Sequence, residues 1–167
     1  KVKRPEIYVQ DTKTEPEKRQ SSLGWQLIYK NKPYSYKVDS QTVTLNIEGK
    51  TYKDFLVNKE EYATIFMITL EITMQKMAYD ILKDNEDIII PEITNHYLID
   101  EDENYRIIIE MDYIKHKNLE KDKVKEAMNA LDILRENNIY HFDTHKENIV
   151  QSVEGDKVVI LDFGKAQ

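Results

Sequence analysis

Two carboxylates and an amide near the carboxyl end of the sequence stand at a spacing suited to a phosphate ester and a divalent cation. Ile139-Tyr140-His141-Phe142-Asp143-Thr144-His145-Lys146-Glu147-Asn148 contains the pattern H-x-D-x-x-x-x-N. Fourteen residues beyond Asn148 stands Asp162-Phe163-Gly164, preceded by a short apolar stretch at 158–161. A nucleoside triphosphate carries concentrated negative charge, which Mg²⁺ neutralises, and Mg²⁺ takes oxygen ligands. Asp162 and the amide oxygen of Asn148 are the candidate metal ligands. Asp143, five residues before Asn148 on the same loop, can accept or orient the proton of a hydroxyl group. Taken without Asp162, Asp143 and Asn148 could equally be loop caps. Average residue usage would place both patterns in a chain of this length on the order of one time in ten thousand.

Together these motifs resemble the protein-kinase-like superfamily. The resemblance is close from Met111 to the carboxyl end and looser from Gly24 to Glu110, while residues 1–20 match no part of it. It implies ATP and Mg²⁺ as cofactors, Asn148 and Asp162 as metal ligands, and Asp143 as the catalytic carboxylate, with His145 beside it. The run Tyr34-Ser35-Tyr36-Lys37-Val38 is similar to the strand that presents the family's phosphate-binding lysine, here Lys37. Glu71 is the implied ion-pair partner of Lys37, and Glu60 is the alternative because about nineteen inserted residues (39–57) precede the helix. Lys37 can also be read as an ordinary exposed strand lysine. Met111-Asp112-Tyr113-Ile114 resembles the hinge that meets adenine, with Met111 behind the base and the backbone of 112–114 along its edge. A plain edge strand ending in a polar turn is the alternative there. Gly24 stands where the last glycine of a glycine-rich phosphate loop belongs, thirteen residues before Lys37.

Departures from the family pattern shape the expected function. Apart from Gly24 the glycine loop is missing, so fewer backbone amides can approach the phosphates closely. Phe142 replaces the arginine that usually pairs with a phosphorylated activation loop, so regulation through such a loop is not expected. His145 occupies the place where protein kinases usually carry a lysine. In this respect D-x-H-x-x-N is similar to aminoglycoside and choline kinases and to the UbiB-like group. The helices that complete a kinase C-lobe are not in this sequence, and in that it resembles minimal, truncated kinases of bacterial effectors and large DNA viruses. The resemblance therefore implies a serine/threonine-protein kinase that transfers the ATP γ-phosphoryl group to a protein hydroxyl. A small-molecule kinase, or a pseudokinase or decoy that binds a partner without catalysis, are the rival readings. The place of action is expected to be the cytoplasm, of its own cell or of a host.

The elements that must position these residues can be read from periodicity. Residues 10–22 are polar and read as a loop or arm. Strands are expected at 25–29, 34–38 and 43–47, then a hairpin with Glu48-Gly49-Lys50 as turn and 52–57 as its second strand. Asn58, with Glu61 three residues on, is a candidate N-terminal cap. Ala63, Met67, Leu70, Met74, Met77 and Ile81 then recur at helical spacing, which marks a buried seam with Glu71 beside it. The run 88–93 and the stretch 106–111 read as a pair of buried strands. Val124, Ala127, Met128, Leu131 and Leu134 mark a second helix, stopped by Asn137 and Asn138. The expected architecture is α+β and two-lobed. It comprises an arm at 1–20, an antiparallel sheet with one long helix at 21–111, and a truncated lobe at 112–167.

Bulk composition excludes several classes. Against 31 Asp and Glu stand 24 Lys and Arg, a formal net charge of −7, and no basic field dominates, so a nucleic-acid partner is not expected. Cysteine is absent, which excludes disulfides and thiolate zinc sites. No stretch approaches the ~18 apolar residues of a membrane span. The expected partner is a protein, as substrate or as cover for apolar residues of the second helix together with Ile139, Phe142 and Phe163. The oligomeric state is not set by the sequence.

Overall fold

Strand pairing organises the first part of the chain. The computed structural model describes residues 28–29, 32–33, 36–39 and 42–167, with side chains described from Thr42 onward except at Val43. The arm at 1–20 and Gly24 lie outside the described residues, and of Lys37 only the backbone is described. Two strands, β1 (Ile28–Tyr29) and β2 (Lys32–Pro33), form an antiparallel pair. A five-stranded sheet follows, built from β3 (Tyr36–Asp39), β4 (Thr42–Ile47), β5 (Lys50–Asn58), β7 (Ile93–Glu101) and β8 (Asn104–Asp112) in the order β3-β4-β5-β8-β7.

The β4–β5 hairpin has its register fixed by a two-residue turn. Glu48 and Gly49 both take positive φ, 48° and 81°, as a type I′ turn requires. Lys50, expected in the turn, instead opens β5 opposite Ile47. Leu45, Ile47 and Val57 are buried on this sheet. β8 is buried continuously at Ile107, Ile108 and Ile109, as befits a strand flanked on both edges. Arg106 links three strands: its guanidinium lies 3.0 Å from Asp54 on β5 and 2.7 Å from Glu101 on β7.

The described residues up to Glu61, with Thr94–Met111, form one unit, and Tyr62–Ile93 with Asp112–Gln167 form another. The chain thus passes from the first to the second at Glu61–Tyr62 and again at Met111–Asp112. The long helix α1 (Tyr62–Leu82) belongs to the second unit. From sequence order it was expected with the sheet at 21–111, but Ala78 and Leu82 share a core with Ile88, Ala130, Leu134 and Phe163. Ahead of α1, Asn58 Oδ1 accepts from the Glu60 N–H at 2.9 Å, and the Glu61 carboxylate accepts from the Asn58 N–H at 3.3 Å. These are the reciprocal bonds expected of Asn58 and Glu61, made on the turn that leads into Tyr62.

The buried face of α1 is also displaced from expectation. Ile68, Glu71, Gln75, Ala78 and Leu82 are buried, each one position beyond the seam read from periodicity, while Met67 and Met77 are exposed. One residue is a rotation of ~100°. Residues 65–74 are apolar around most of the helix, so periodicity alone could not single out a face. Two polar residues on the true face disguised it. Gln75 is satisfied there by donating to the Pro91 carbonyl at 2.9 Å.

The rest of the second unit comprises β6 (Ile88–Ile89), β9 (His116–Asn118), a 3₁₀ turn (Lys121–Lys123), α2 (Val124–Glu136), β10 (Ile149–Ser152) and β11 (Val158–Ile160). Their sheet runs β6-β11-β10-β9, antiparallel except for the parallel β6–β11 pair. The stretches 88–93 and 106–111, expected as buried strands, are both largely buried. Pro91, which has no N–H to give to a ladder, divides the first run: Ile88–Ile89 joins β11, while Ile93 opens β7 beside β8. Ile139 and Phe163, expected to need outside cover, are buried within this unit, whereas Val124, Met128 and Phe142 are exposed. Among the described residues no helix is long and apolar enough to cross a membrane.

Candidate active site

α2 delivers the chain to the site through a well-formed stop. Asn138 takes φ 64°, its N–H bonds the Arg135 carbonyl at 2.9 Å, and the Ile139 N–H reaches back to Leu134 at 2.9 Å. This is the Schellman pattern, with Ile139 packed in the same core as Leu134. The loop that follows is pinned by side chains. His141 is buried, and its Nε2 lies 2.8 Å from the Leu161 carbonyl while its Nδ1 lies 3.1 Å from the Asp143 N–H. Since Nδ1 accepts, the proton sits on Nε2, which donates to Leu161. The ring also meets Phe163 edge-on at 4.9 Å and 66°.

Leu161 is held from both sides. While its carbonyl accepts from His141, its N–H donates to the Asn148 carbonyl at 2.7 Å. That bond extends the β10–β11 ladder beyond its last pair, Ile149 with Ile160. The loop carrying Asp143 and Asn148 is thereby fastened to the strand end carrying Asp162.

Asp143, His145 and Asn148 come together as expected from their spacing. The Asn148 amide donates to the Asp143 carbonyl at 2.9 Å and to its carboxylate at 3.1 Å. His145 Nδ1 accepts from the Glu147 N–H at 3.3 Å, and its Nε2 lies 3.3 Å from Asp143 Oδ1 and 3.2 Å from Asn148 Nδ2. Two residues of this site are held with positive φ, Phe142 at 63° and Asp162 at 56°. Asp tolerates that region, but a phenylalanine there is a true outlier, stored strain of order 1–3 kcal/mol that the surrounding bonds must hold. Asp162 Oδ1 accepts from the Gly164 N–H at 3.0 Å. A Cβ added to Gly164 would stand 3.2 Å from Glu71 Oε1, so the buried Glu71 carboxylate lies directly against this turn.

The other expected residues fall elsewhere. Met111 is buried at the end of β8, and the Asp112 N–H donates to the Glu92 carbonyl at 3.0 Å. Tyr113 is exposed, and the Ile114 carbonyl is 2.8 Å from His116 Nδ1. The backbone of Lys37 lies in β3, opposite Thr44. Among the described residues no three His, Cys, Asp or Glu side chains cluster as a metal set. An oxygen pair still fits Mg²⁺, which keeps several of its waters and binds through few protein ligands. Asn148 spends its Nδ2 on Asp143, which leaves its amide oxygen available beside the strand end that bears Asp162.

Sequence reasoning missed two contributors. His141 was seen only as part of a pattern, although it fastens the loop. Lys165, 3.7 Å from Asp143 Oδ1, was not singled out at all. Its only signal was its place directly after Asp162-Phe163-Gly164.

No family model matches the chain, and no curated protein matches its sequence. Solved structures do match. WbdD aligns over 81% of this chain and 33% of its own, at 12% identity and a TM-score of 0.52. WbdD with the kinase inhibitor LY294002 aligns over the same shares, at 12% identity and a TM-score of 0.50. The kinase PK-1 of Cydia pomonella granulovirus aligns over 75% of this chain and 47% of its own, at 17% identity, with a TM-score of 0.47 that carries no argument. The chain has an α+β fold of the protein-kinase-like type, as expected from its motifs. It spans 33% of the WbdD chain that it resembles.

Burial lowers the pKa of His141 below the usual histidine value, against the opposing pull of its bond to Leu161. A depressed folded-state pKa means that the unfolded chain takes up the proton first. Stability contributed by neutral His141 is thus complete above the unfolded value of ~6.5 and is lost as pH falls from there through the folded value. Urea unfolding midpoints should decline across that window, and a His141→Gln variant should show a shallower decline. An equal slope in both proteins would mean that His141 is not the group responsible.

Proposed function

We propose that this chain transfers the γ-phosphoryl group of ATP to a hydroxyl group, taken first to be that of a protein Ser or Thr. The observation that carries this reading is the double hold on Leu161, which brings the Asp143–Asn148 loop and Asp162 to one place. Asp162 and Asn148 would hold Mg²⁺, which neutralises phosphate charge when bound. Asp143 orients the acceptor hydroxyl and takes its proton as the new P–O bond forms and the bond to the ADP leaving group breaks. The Asp112 N–H is committed to Glu92, so adenine would be met by later groups of the 112–114 segment. Lys37 remains the proposed lysine for the α- and β-phosphates, with Glu71 as its partner and Gly24 in the phosphate loop.

A second reading, a small-molecule kinase, is favoured by one observation: the acidic group has an imidazole, His145, as its close companion. Labelled ATP with Mg²⁺ separates the readings when a mixed protein substrate and a panel of aminoglycosides and choline are offered in parallel. An Asp143→Asn variant should transfer ~10²–10⁴-fold more slowly while keeping nucleotide affinity. Transfer to the small hydroxyl compounds alone would select the second reading. Nucleotide binding with no transfer to any acceptor would make the chain a pseudokinase, and absence of nucleotide binding would refute both readings.

A further inference from the structure

We propose that Lys165 supplies the cation that meets the transferring phosphoryl group beside Asp143, an inference that rests on the phosphoryl-transfer reading above. Lys165 Nζ lies 3.7 Å from Asp143 Oδ1, and His145 Nε2 lies 3.3 Å from the same oxygen. Among the described residues these are the two basic groups within 4.0 Å of that carboxylate. At the neighbouring turn, Asp162 and Glu71 both bring carboxylate oxygens close to Gly164. A phosphoryl group arriving at a hydroxyl beside Asp143 adds more negative charge at that point. A cationic donor at the point where charge develops is a large aid to phosphoryl transfer.

Of the two, His145 is already spent. Its Nδ1 accepts from Glu147, and its Nε2 is held between Asp143 Oδ1 and Asn148 Nδ2. Lys165 has three donors, and its 3.7 Å contact is too long for a hydrogen bond, so it is an ion-pair contact that leaves all three free for phosphate oxygens. Its base is fixed and its tip is not. The Ala166 N–H bonds the Phe163 carbonyl at 3.1 Å, and Tyr140 and Gln167 exchange backbone bonds at 2.9 Å in each direction. Phe163 and Ala166 are both buried, whereas the Lys165 side chain is 67% exposed. It stands on an open cavity of about 590 Å³, lined also by Phe66, Met67, Leu70, Phe142 and Gly164, which leaves its ammonium room to move. In the step itself the P–O bond to ADP breaks as the bond to the acceptor oxygen forms. The acceptor proton passes to Asp143, and Lys165 stays with the moving phosphoryl oxygens.

Calorimetric titration with ATP and with ADP, each with Mg²⁺, tests this without relying on turnover. The lysine meets only the terminal phosphate, so Lys165→Met should lower ATP affinity about tenfold or more and leave ADP affinity unchanged. Turnover should fall ~10²-fold with the acceptor KM unchanged, and Lys165→Arg should recover most of the loss. Lys165→Gln, which keeps a polar side chain, should behave as the methionine variant does. Equal losses for ATP and ADP, or no change in either, would overturn the assignment of Lys165 while leaving the function intact. A parent protein that binds neither nucleotide would overturn both.

Discussion

An Asp162→Ala protein should bind no Mg²⁺-nucleotide and transfer no phosphate, yet unfold within about 2–8 °C of its parent. The side chain is exposed, so little packing is lost with it. What is lost is the one anionic ligand of the proposed metal pair, and an amide oxygen alone holds Mg²⁺ poorly. Asp162 has φ 56°, and alanine in that region costs about 1–2 kcal/mol. An Asp162→Asn variant separates the two effects, because asparagine tolerates the backbone and removes only the charge. Both variants should lose binding in a fluorescence titration with Mg²⁺ present. Retained binding in the asparagine variant would remove Asp162 from the metal site.

The largest effect on stability is expected at the next residue. Phe163 is fully buried and shares a core with Leu134, Ile139 and Ile160. Truncating such a side chain to alanine costs about 3–5 kcal/mol through lost transfer energy and an unfilled cavity. A domain holds only about 5–15 kcal/mol in total, so Phe163→Ala should leave a marginal protein. Phe163→Leu should be markedly milder. Because the ring edge packs on His141, the alanine variant should also loosen the bond from His141 to Leu161. Equilibrium urea unfolding gives the measurement, and a loss below about 1 kcal/mol would mean that Phe163 is not a keystone of this core.

The second unit was the more legible of the two. Asp143, Asn148 and Asp162 announce themselves because their chemistry needs fixed residue types at fixed spacing. The end of α2 was equally plain, since Asn138 is one of the few residues at ease with positive φ. What failed was orientation. On α1 the apolar residues run nearly all the way round, so its periodicity supports two faces a residue apart. Only the tertiary partners of Glu71 and Gln75 choose between them. β7 was not foreseen because it is an edge strand with most side chains exposed, which leaves no alternation to read. Lys165 was invisible for another reason: its contact with Asp143 is made across a turn, and nothing in the residue type marks it.

The parallel pairing of β11 with β6 sets an order for synthesis. Val158 lies opposite Ile88, and its N–H bonds the Asp87 carbonyl at 2.9 Å. When β6 leaves the ribosome, its partner strand is still about seventy residues away, beyond the β7 and β8 strands that complete the five-stranded sheet. Antiparallel hairpins such as β4–β5 can close at once, but a parallel partner must wait for its crossover. Ile88 and Ile90 are thus without their final cover until translation has passed Ile160. Domains fold as their chain emerges, and apolar strands left waiting are the ones that aggregate. Ribosome-stalled chains cut before residue 158 should therefore hold a protease-resistant five-stranded sheet and an unprotected α1–β6 segment.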